Sequence, residues 1–231
     1  MSRKTCLALL LSVLCLAFGP ASSAQAGSIK LSDLIANEGT ITVGDKLFSD
    51  FTFDMTANGP HTAPPDASGI KVSGKVKGGL PTLSFTGGMF AGVNSSIDLI
   101  IGYKVTVLDP NQRLSDIHLI FNGCTKGTGF TNVVETVFGP DELTVIGQAD
   151  VTNPPKKLST NIDLDTPVSM AFVTKDIFLF GGRRGKATIS FIDQAFSQTR
   201  PPQNVPEPAS LLLLGSGLAG IVLRARRRRD K

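Results

Sequence analysis

The chain has 231 residues, of which 24 are glycine and 14 are proline, and its formal net charge is +4. The positive charge lies at the two ends. Residues 1–26 carry two basic groups, residues 211–231 carry six basic and one acidic, and residues 27–210 carry 15 basic and 18 acidic, a net charge of −3. A mildly acidic central region argues against a general affinity for nucleic acid, and no nucleic-acid partner is expected.

The first 26 residues have the order of a secretory signal. Arg3 and Lys4 precede an apolar run, and Ala24 and Ala26 then supply small residues in an A-x-A arrangement. This order predicts a Sec signal peptide over residues 1–26, cleaved after Ala26. A lipoprotein signal ending at Cys15 is the weaker alternative. Such a site needs a small residue just before the cysteine, and Leu14 stands there.

Removal of this segment leaves Cys124 as the one cysteine of the mature chain. We therefore expect no internal disulfide and a fold that is stabilised by its apolar core. Residues 27–196 are long enough for one such domain, and the polar, proline-rich residues 197–204 are predicted to be a linker.

Short β-like runs separated by turn residues recur along residues 27–196, and only Leu31–Ala36 has a weak helical pattern. Many short strands with this spacing predict an all-β fold, an antiparallel β-sandwich of about ten strands. Ile70–Lys77 alternates strictly between apolar and polar residues, and Ser96–Leu108 is the best candidate for a central strand. Further strands are predicted at Thr40–Val43, Lys46–Phe53, Ile117–Phe121, Thr131–Phe138, Leu143–Ala149, Leu158–Leu164, Val168–Thr174, Ile177–Phe180 and Ala187–Ile192.

A search for catalytic or metal-binding patterns in this region gives no site. His61 lies in a proline-rich loop, and His118 lies within a strand on the face opposite its apolar neighbours. Neither histidine has a partner at metal-ligand spacing. We therefore expect no catalytic residue, no metal and no cofactor, although two facing carboxylates in a cleft would favour a glycosidase.

Sugar binding is the other function that the composition bears on. Modules that bind sugars often expose Trp or Tyr, but the chain has no Trp, and its one Tyr, Tyr103, lies on the apolar face of a strand. Its 14 phenylalanines are expected to lie mostly inside the core.

The C-terminal residues 205–231 form three consecutive parts. Val205, Pro206, Glu207 and Pro208 make a stiff extended spacer, since proline excludes helix there. Ala209–Leu223 follows with 15 uncharged residues, which as a helix would span about 22 Å. This is short for a bilayer core of about 30 Å, but it predicts a transmembrane helix that the basic end completes. The arginines that would hold this end in the cytoplasm are Arg224, Arg226, Arg227, Arg228 and Arg229.

This tail resembles the PEP-CTERM protein-sorting signal of bacterial surface proteins, in the order and spacing of all three parts. The resemblance implies that an exosortase, an integral membrane protease-transpeptidase, is a partner and cleaves near the motif. Stretches such as Ile41–Phe53 and Ile101–Val107 also look like uncharacterised secreted proteins that carry this signal. An ordinary membrane anchor is the alternative for the tail.

Together these features predict a non-catalytic structural or adhesive protein. It would be exported through Sec, anchored in the membrane by its C-terminus until it is processed, and then found at the cell surface or in the extracellular matrix. The alternative is a polysaccharide-binding module with the same export route, whose partner would be an exopolysaccharide. An enzyme is the third hypothesis.

Overall fold

A computed structural model describes residues 27–63 and 66–201 of the chain. These residues form thirteen strands and one helix. In chain order they are β1 (Ile29–Lys30), α1 (Leu31–Ala36), β2 (Ile41–Val43), β3 (Lys46–Asn58), β4 (Thr62–Ala63), β5 (Lys71–Lys77), β6 (Leu80–Ala91), β7 (Ser96–Val107), β8 (Arg113–Lys126), β9 (Phe130–Phe138), β10 (Val145–Asn153), β11 (Ser159–Val168), β12 (Met170–Phe180) and β13 (Lys186–Thr199).

The strands form two antiparallel sheets. The first sheet has the order β1-β5-β6-β13-β8-β11, with β4 paired to β6, and the second has the order β10-β9-β12-β7-β3-β2. The chain crosses between the sheets several times, because β6 and β8 belong to the first sheet and β7 and β9 to the second. The predicted all-β antiparallel sandwich is therefore confirmed, with thirteen strands in the described residues where about ten were expected.

The core lies between the two sheets and follows the two-residue alternation of the strands. In β7 the inward side chains from Ile97 to Val107 are buried, as the predicted central strand requires. Aromatic rings from both sheets meet in this core. Phe48 of the second sheet lies 5.2 Å from Phe196 of the first, and Tyr103 lies 5.7 Å from Phe85, measured between ring centroids.

Three sequence expectations need correction. Val168–Thr174 and Ile177–Phe180 were expected as separate strands, but β12 runs unbroken from Met170 to Phe180 because Lys175 points into the core and is paired there. β6 was not expected at all, since Gly87-Gly88 and several hydroxyl residues hide its pattern. The last strand, predicted as Ala187–Ile192, runs from Lys186 to Thr199; the division of the chain into domains remains a prediction.

We predict that Phe196→Ala lowers the free energy of unfolding by about 3–5 kcal/mol, because it opens a cavity between the sheets. Phe180→Ala is the matched control, since Phe180 is 41% exposed whereas Phe196 is fully buried. The control should change stability by at most about 1 kcal/mol. Equilibrium unfolding in urea measures both, and equal losses would contradict the assignment of the core.

Candidate functional site

Four polar side chains meet inside the core. Glu135 of β9 and Lys175 of β12 are direct cross-strand neighbours in the second sheet, and both are fully buried. The Lys175 ammonium donates to Glu135 Oε2, and Nε2 of Gln194, which comes from the first sheet, donates to Glu135 Oε1. The Tyr103 hydroxyl donates to Gln194 Oε1. The cluster therefore joins the two sheets by hydrogen bonds.

Burial controls the protonation of this cluster. Desolvation raises the pKa of Glu135, and the charge of Lys175 and its hydrogen bond counteract that rise. Desolvation lowers the pKa of Lys175, while Glu135 raises it. The pKa of Tyr103 is well above its usual value for the same reason, with the Glu135 charge adding to it. Because all four side chains are closed to solvent, the cluster is suited to holding the sheets together and is out of reach of a ligand.

The outer face of the second sheet carries phenylalanines that were expected in the core. Phe172 lies opposite Phe138 across β12 and β9, and Phe180 lies opposite Phe130. The Phe178 ring is stacked near Phe180, with centroids 6.4 Å apart, and lies 6.4 Å from Phe130. The two pairs are eight residues apart along β12, or about 27 Å at the usual rise of a strand. The expectation that most phenylalanines are internal is wrong for this face.

Strand parity explains why these rings point outward. Val133, Glu135 and Val137 of β9 point into the core, so the even-numbered positions of that strand face solvent. The same alternation in β12 turns Ala171 and Val173 inward and Phe172 outward. The two-residue alternation is present in the sequence. It predicts outward phenylalanines only if Glu135 and Lys175 are accepted as core positions.

Two carboxyl groups also meet on this outer face. The side chains of Asp98 in β7 and Asp176 in β12 are hydrogen-bonded, and desolvation together with the Asp98 charge raises the pKa of Asp176. Hydrogen-bonded carboxyls lie closer together than the carboxyl pair of a glycosidase, which is held about 5 Å or more apart. Within residues 27–63 and 66–201, no group of three or more His, Cys, Asp or Glu side chains could hold a metal ion.

A groove of about 370 Å³ lies on the outer face of the first sheet. Its polar lining includes Lys77, which is paired with Asp193, and His118. The His118 ring contacts Asn161 Oδ1 at 2.7 Å and Ser197 Oγ at 2.9 Å. The sequence correctly places His118 on the outward face of its strand, but these partners come from β11 and β13 and could not be identified from local spacing.

The other residues singled out in the sequence do not meet in one place. His61 lies in the loop before β4, and Tyr103 is buried, as expected. Cys124 is an exposed residue of β8.

The signal and sorting residues lie outside the described residues. They are Ala24, Ala26, Val205, Pro206, Glu207, Pro208, Arg224, Arg226, Arg227, Arg228 and Arg229. Among the residues that the structure describes, no helix has the length and apolar character needed to cross a membrane.

Residues 204–228 match the family model described as "PEP-CTERM protein-sorting motif". The C-terminal tail carries this sorting motif. No curated protein matches the chain in sequence. The PEP-CTERM match therefore concerns the tail, and it implies a protein that is exported, sorted by an exosortase and exposed at the surface.

Solved structures resemble the described residues only distantly. A domain of tailspike protein 4 of bacteriophage CBA120 covers 64% of this chain at 9% identity and a TM-score of 0.31, and the chain covers 19% of it. A glycosylation-associated protein complex of Streptococcus agalactiae has the same identity and TM-score, with 62% and 26% covered. A family 11 carbohydrate-binding module of a Clostridium thermocellum cellulase gives 10% identity and a TM-score of 0.21, with 63% and 88% covered. The chain thus spans about a quarter or less of the first two structures.

We predict that Lys175→Met lowers the free energy of unfolding by about 3–5 kcal/mol at neutral pH, because it leaves the Glu135 carboxylate buried without its cation. The double variant Lys175→Met/Glu135→Gln should be more stable than the single variant, since it restores a neutral core. Urea unfolding of both variants near neutral pH measures the difference. A single variant that is as stable as the double variant would contradict the charge balance described here.

The same single variant should have a distinctive pH dependence. Without Lys175, the folded-state pKa of Glu135 lies above its unfolded value of about 4.3. Folding then favours the protonated carboxyl, so the deficit is smallest near the unfolded pKa and grows as pH rises through the folded-state pKa. A deficit that grows as the pH falls from neutral would contradict this assignment.

Proposed function

We propose that the protein is a non-catalytic component of the cell surface or extracellular matrix, delivered there by an exosortase that acts on its C-terminal tail. The observation that carries the proposal is the sorting motif over residues 204–228. The predicted signal peptide provides Sec export, and Ala209–Leu223 provides a temporary membrane anchor. Arg224 and Arg226–Arg229 keep the end of the tail cytoplasmic.

The sandwich supports a structural role in this proposal. Its two sheets are closed around an apolar core that includes the buried polar cluster, and the described residues hold the single cysteine Cys124. Such a domain is stabilised by packing between its two sheets. The mature protein is either released or attached to the surface matrix after the tail is processed.

Polysaccharide binding is the second candidate function, and the outer face of the second sheet favours it. Phe130, Phe178 and Phe180 form one group of outward-facing rings, of which Phe180 is exposed and the other two are half-buried, and the half-buried Phe138 and Phe172 form another. Aromatic faces pack against the C–H groups of sugar rings while the sugar hydroxyls remain in water. The spacing of the two groups suits a chain of several sugar units.

The sorting proposal predicts separate effects for two parts of the tail. Glu207→Ala and Pro208→Ala should leave membrane insertion intact and block processing, because the spacer presents the cleavage region to the exosortase. Both variants should accumulate as full-length, membrane-bound protein in fractionated cells of the native host. Processing at the wild-type rate would contradict the proposal and indicate a plain anchor.

Replacing Arg226–Arg229 with serine is the matched control for membrane insertion. Each arginine costs roughly 2.5–3.5 kcal/mol at the centre of the membrane on insertion scales. The serine variant should therefore let part of the protein pass through the membrane without processing, whereas the Glu207 and Pro208 variants should not. Identical behaviour of the two classes would contradict separate roles.

The second candidate function predicts that Phe180→Ala weakens polysaccharide binding by roughly five- to thirty-fold, equivalent to about 1–2 kcal/mol. Val76→Ala is the control, because Val76 is 50% exposed and belongs to β5 of the first sheet. A glycan array probed with mature wild-type protein identifies the polysaccharide, and titration with it compares the variants. Binding by Phe180→Ala that equals wild-type binding would exclude this face as the polysaccharide-binding site.

A further inference from the structure

One end of the sandwich concentrates basic side chains. Four loop segments meet there: residues 58–61, 92–95, 126–129 and 181–186. Together these segments contain four basic residues and no carboxylate. The basic side chains are Lys126, Arg183, Arg184 and Lys186, and all four are exposed. We call this surface the basic end.

Hydrogen bonds hold the loops of the basic end together. The Asn94 amide donates to the Gly182 carbonyl at 2.7 Å, and the Arg184 amide donates to Thr128 Oγ1 at 3.1 Å. The His61 amide donates to Ser95 Oγ at 3.0 Å. Each bond links two different segments, so the basic side chains project from a surface that is ordered before any ligand arrives.

Glycines make this close packing of loops feasible. Gly182 has a φ of +65°, in the left-handed region that favours glycine. A Cβ on Gly181 would lie 1.7 Å from the Gly92 carbonyl oxygen, and one on Gly129 would lie 2.1 Å from the Lys186 carbonyl oxygen. The sequence G-G-R-R-G-K over residues 181–186 therefore combines the glycines that build the surface with the cations that it presents.

A groove of about 500 Å³ crosses this surface. It is lined by Lys126, Arg184 and Lys186, and by apolar contributions from Phe90 and Val93. The groove has cations along it and an apolar floor, which is the arrangement expected for a chain that carries both carboxylates and C–H faces. Arginine binds a carboxylate through two parallel hydrogen bonds, a geometry that it also forms with phosphate, so the groove suits an anionic ligand.

The basic end continues into the aromatic face. Phe180 immediately precedes Gly181, and Phe130 immediately follows Gly129. The outward-facing rings of Phe130, Phe178 and Phe180, the last of them exposed, therefore begin where the basic loops end. A ligand long enough to cover both surfaces would meet cations first and aromatic rings next.

The position where the chain leaves the sandwich favours a matrix polymer over a membrane as the ligand of the basic end. Thr199 at the end of β13 pairs with Arg113, at the opposite end of the first sheet from Lys186 and Lys126. The chain leaves the sandwich there on its way to the sorting tail. While the tail is anchored, its attachment point lies at the far end of the domain from the basic end, which argues for a ligand other than lipid headgroups.

We propose that the basic end binds an anionic, carboxylate-bearing polysaccharide. This proposal rests on the polysaccharide-binding candidate function and specifies the class of ligand. The contacts are exposed ion pairs and arginine–carboxylate bonds, so the affinity should fall as ionic strength rises. The aromatic rings beside the loops would hold the uncharged faces of the same polymer.

The test uses mature protein from the native host and three probes: alginate, carboxyl-reduced alginate and phosphatidylserine vesicles. Wild type should bind alginate at least tenfold more tightly than the carboxyl-reduced polymer, with less binding to vesicles. The variant Lys126→Glu/Arg184→Glu should lose at least tenfold in alginate affinity. The control is Lys30→Glu/Lys71→Glu, which makes the same charge change at two exposed residues paired across β1 and β5.

The control should keep wild-type affinity, because net charge alone does not create the site. Any residual arginines of the tail are common to all variants and cancel in the comparison. Equal loss in both double variants, tighter binding to vesicles, or equal binding of the reduced polymer would overturn the proposal. Binding of the reduced polymer that is lost in Phe180→Ala would retain polysaccharide binding on the aromatic face while rejecting an anionic ligand. Absence of binding to any glycan, on the array or in these titrations, would reject both the anionic ligand and polysaccharide binding in general.

Discussion

The hydrogen bonds around Glu135 set the arrangement of the two sheets. Its carboxylate lies opposite Lys175 within one sheet and accepts a hydrogen bond from Gln194 of the other sheet. All three side chains are buried in the core. A buried lysine is tolerated only with its charge balanced, so β9 and β12 are fixed in the register that makes these residues neighbours. A slip of one residue would move every side chain of β12 to the opposite face. The same register therefore turns Phe178 and Phe180 toward the outer face, where Phe180 is exposed.

The surface that results has two adjoining parts with different chemistry. Outward-facing aromatic rings follow β9 and β12, and the loops that continue from Phe180 and precede Phe130 carry the cations of the basic end. Whole-chain composition conceals this separation, because residues 27–210 are acidic overall. A local cluster of four cations on ordered loops has a different electrostatic effect from the average charge of the domain. Binding surfaces on a sandwich commonly lie in its loops for this reason, since the sheets hold the loops in place.

Strand alternation made the sandwich predictable, and most strands were found from it. β12 was divided in the sequence interpretation because a charged residue inside an apolar run looks like a break, and only the tertiary pairing with Glu135 shows otherwise. The exposed phenylalanines were assigned to the core for the same reason, as the parity of β9 and β12 depends on accepting inward charges. The basic end brings together segments from residue 58 to residue 186, and the contacts between them are non-local. Sequence spacing alone could not predict that meeting.

In the proposal above, transport belongs to the tail and surface chemistry to the sandwich. We expect the tail alone to direct exosortase processing. The most direct measurement attaches residues 204–231 to an unrelated secreted protein that has its own signal peptide. Fractionation of the native host then gives the size and membrane association of the fusion. The fusion should lose its tail and leave the membrane in that host, and should stay full length where the exosortase is deleted. A fusion that remains full length in the native host, or is trimmed equally without the exosortase, would contradict a role of the tail as a sorting signal.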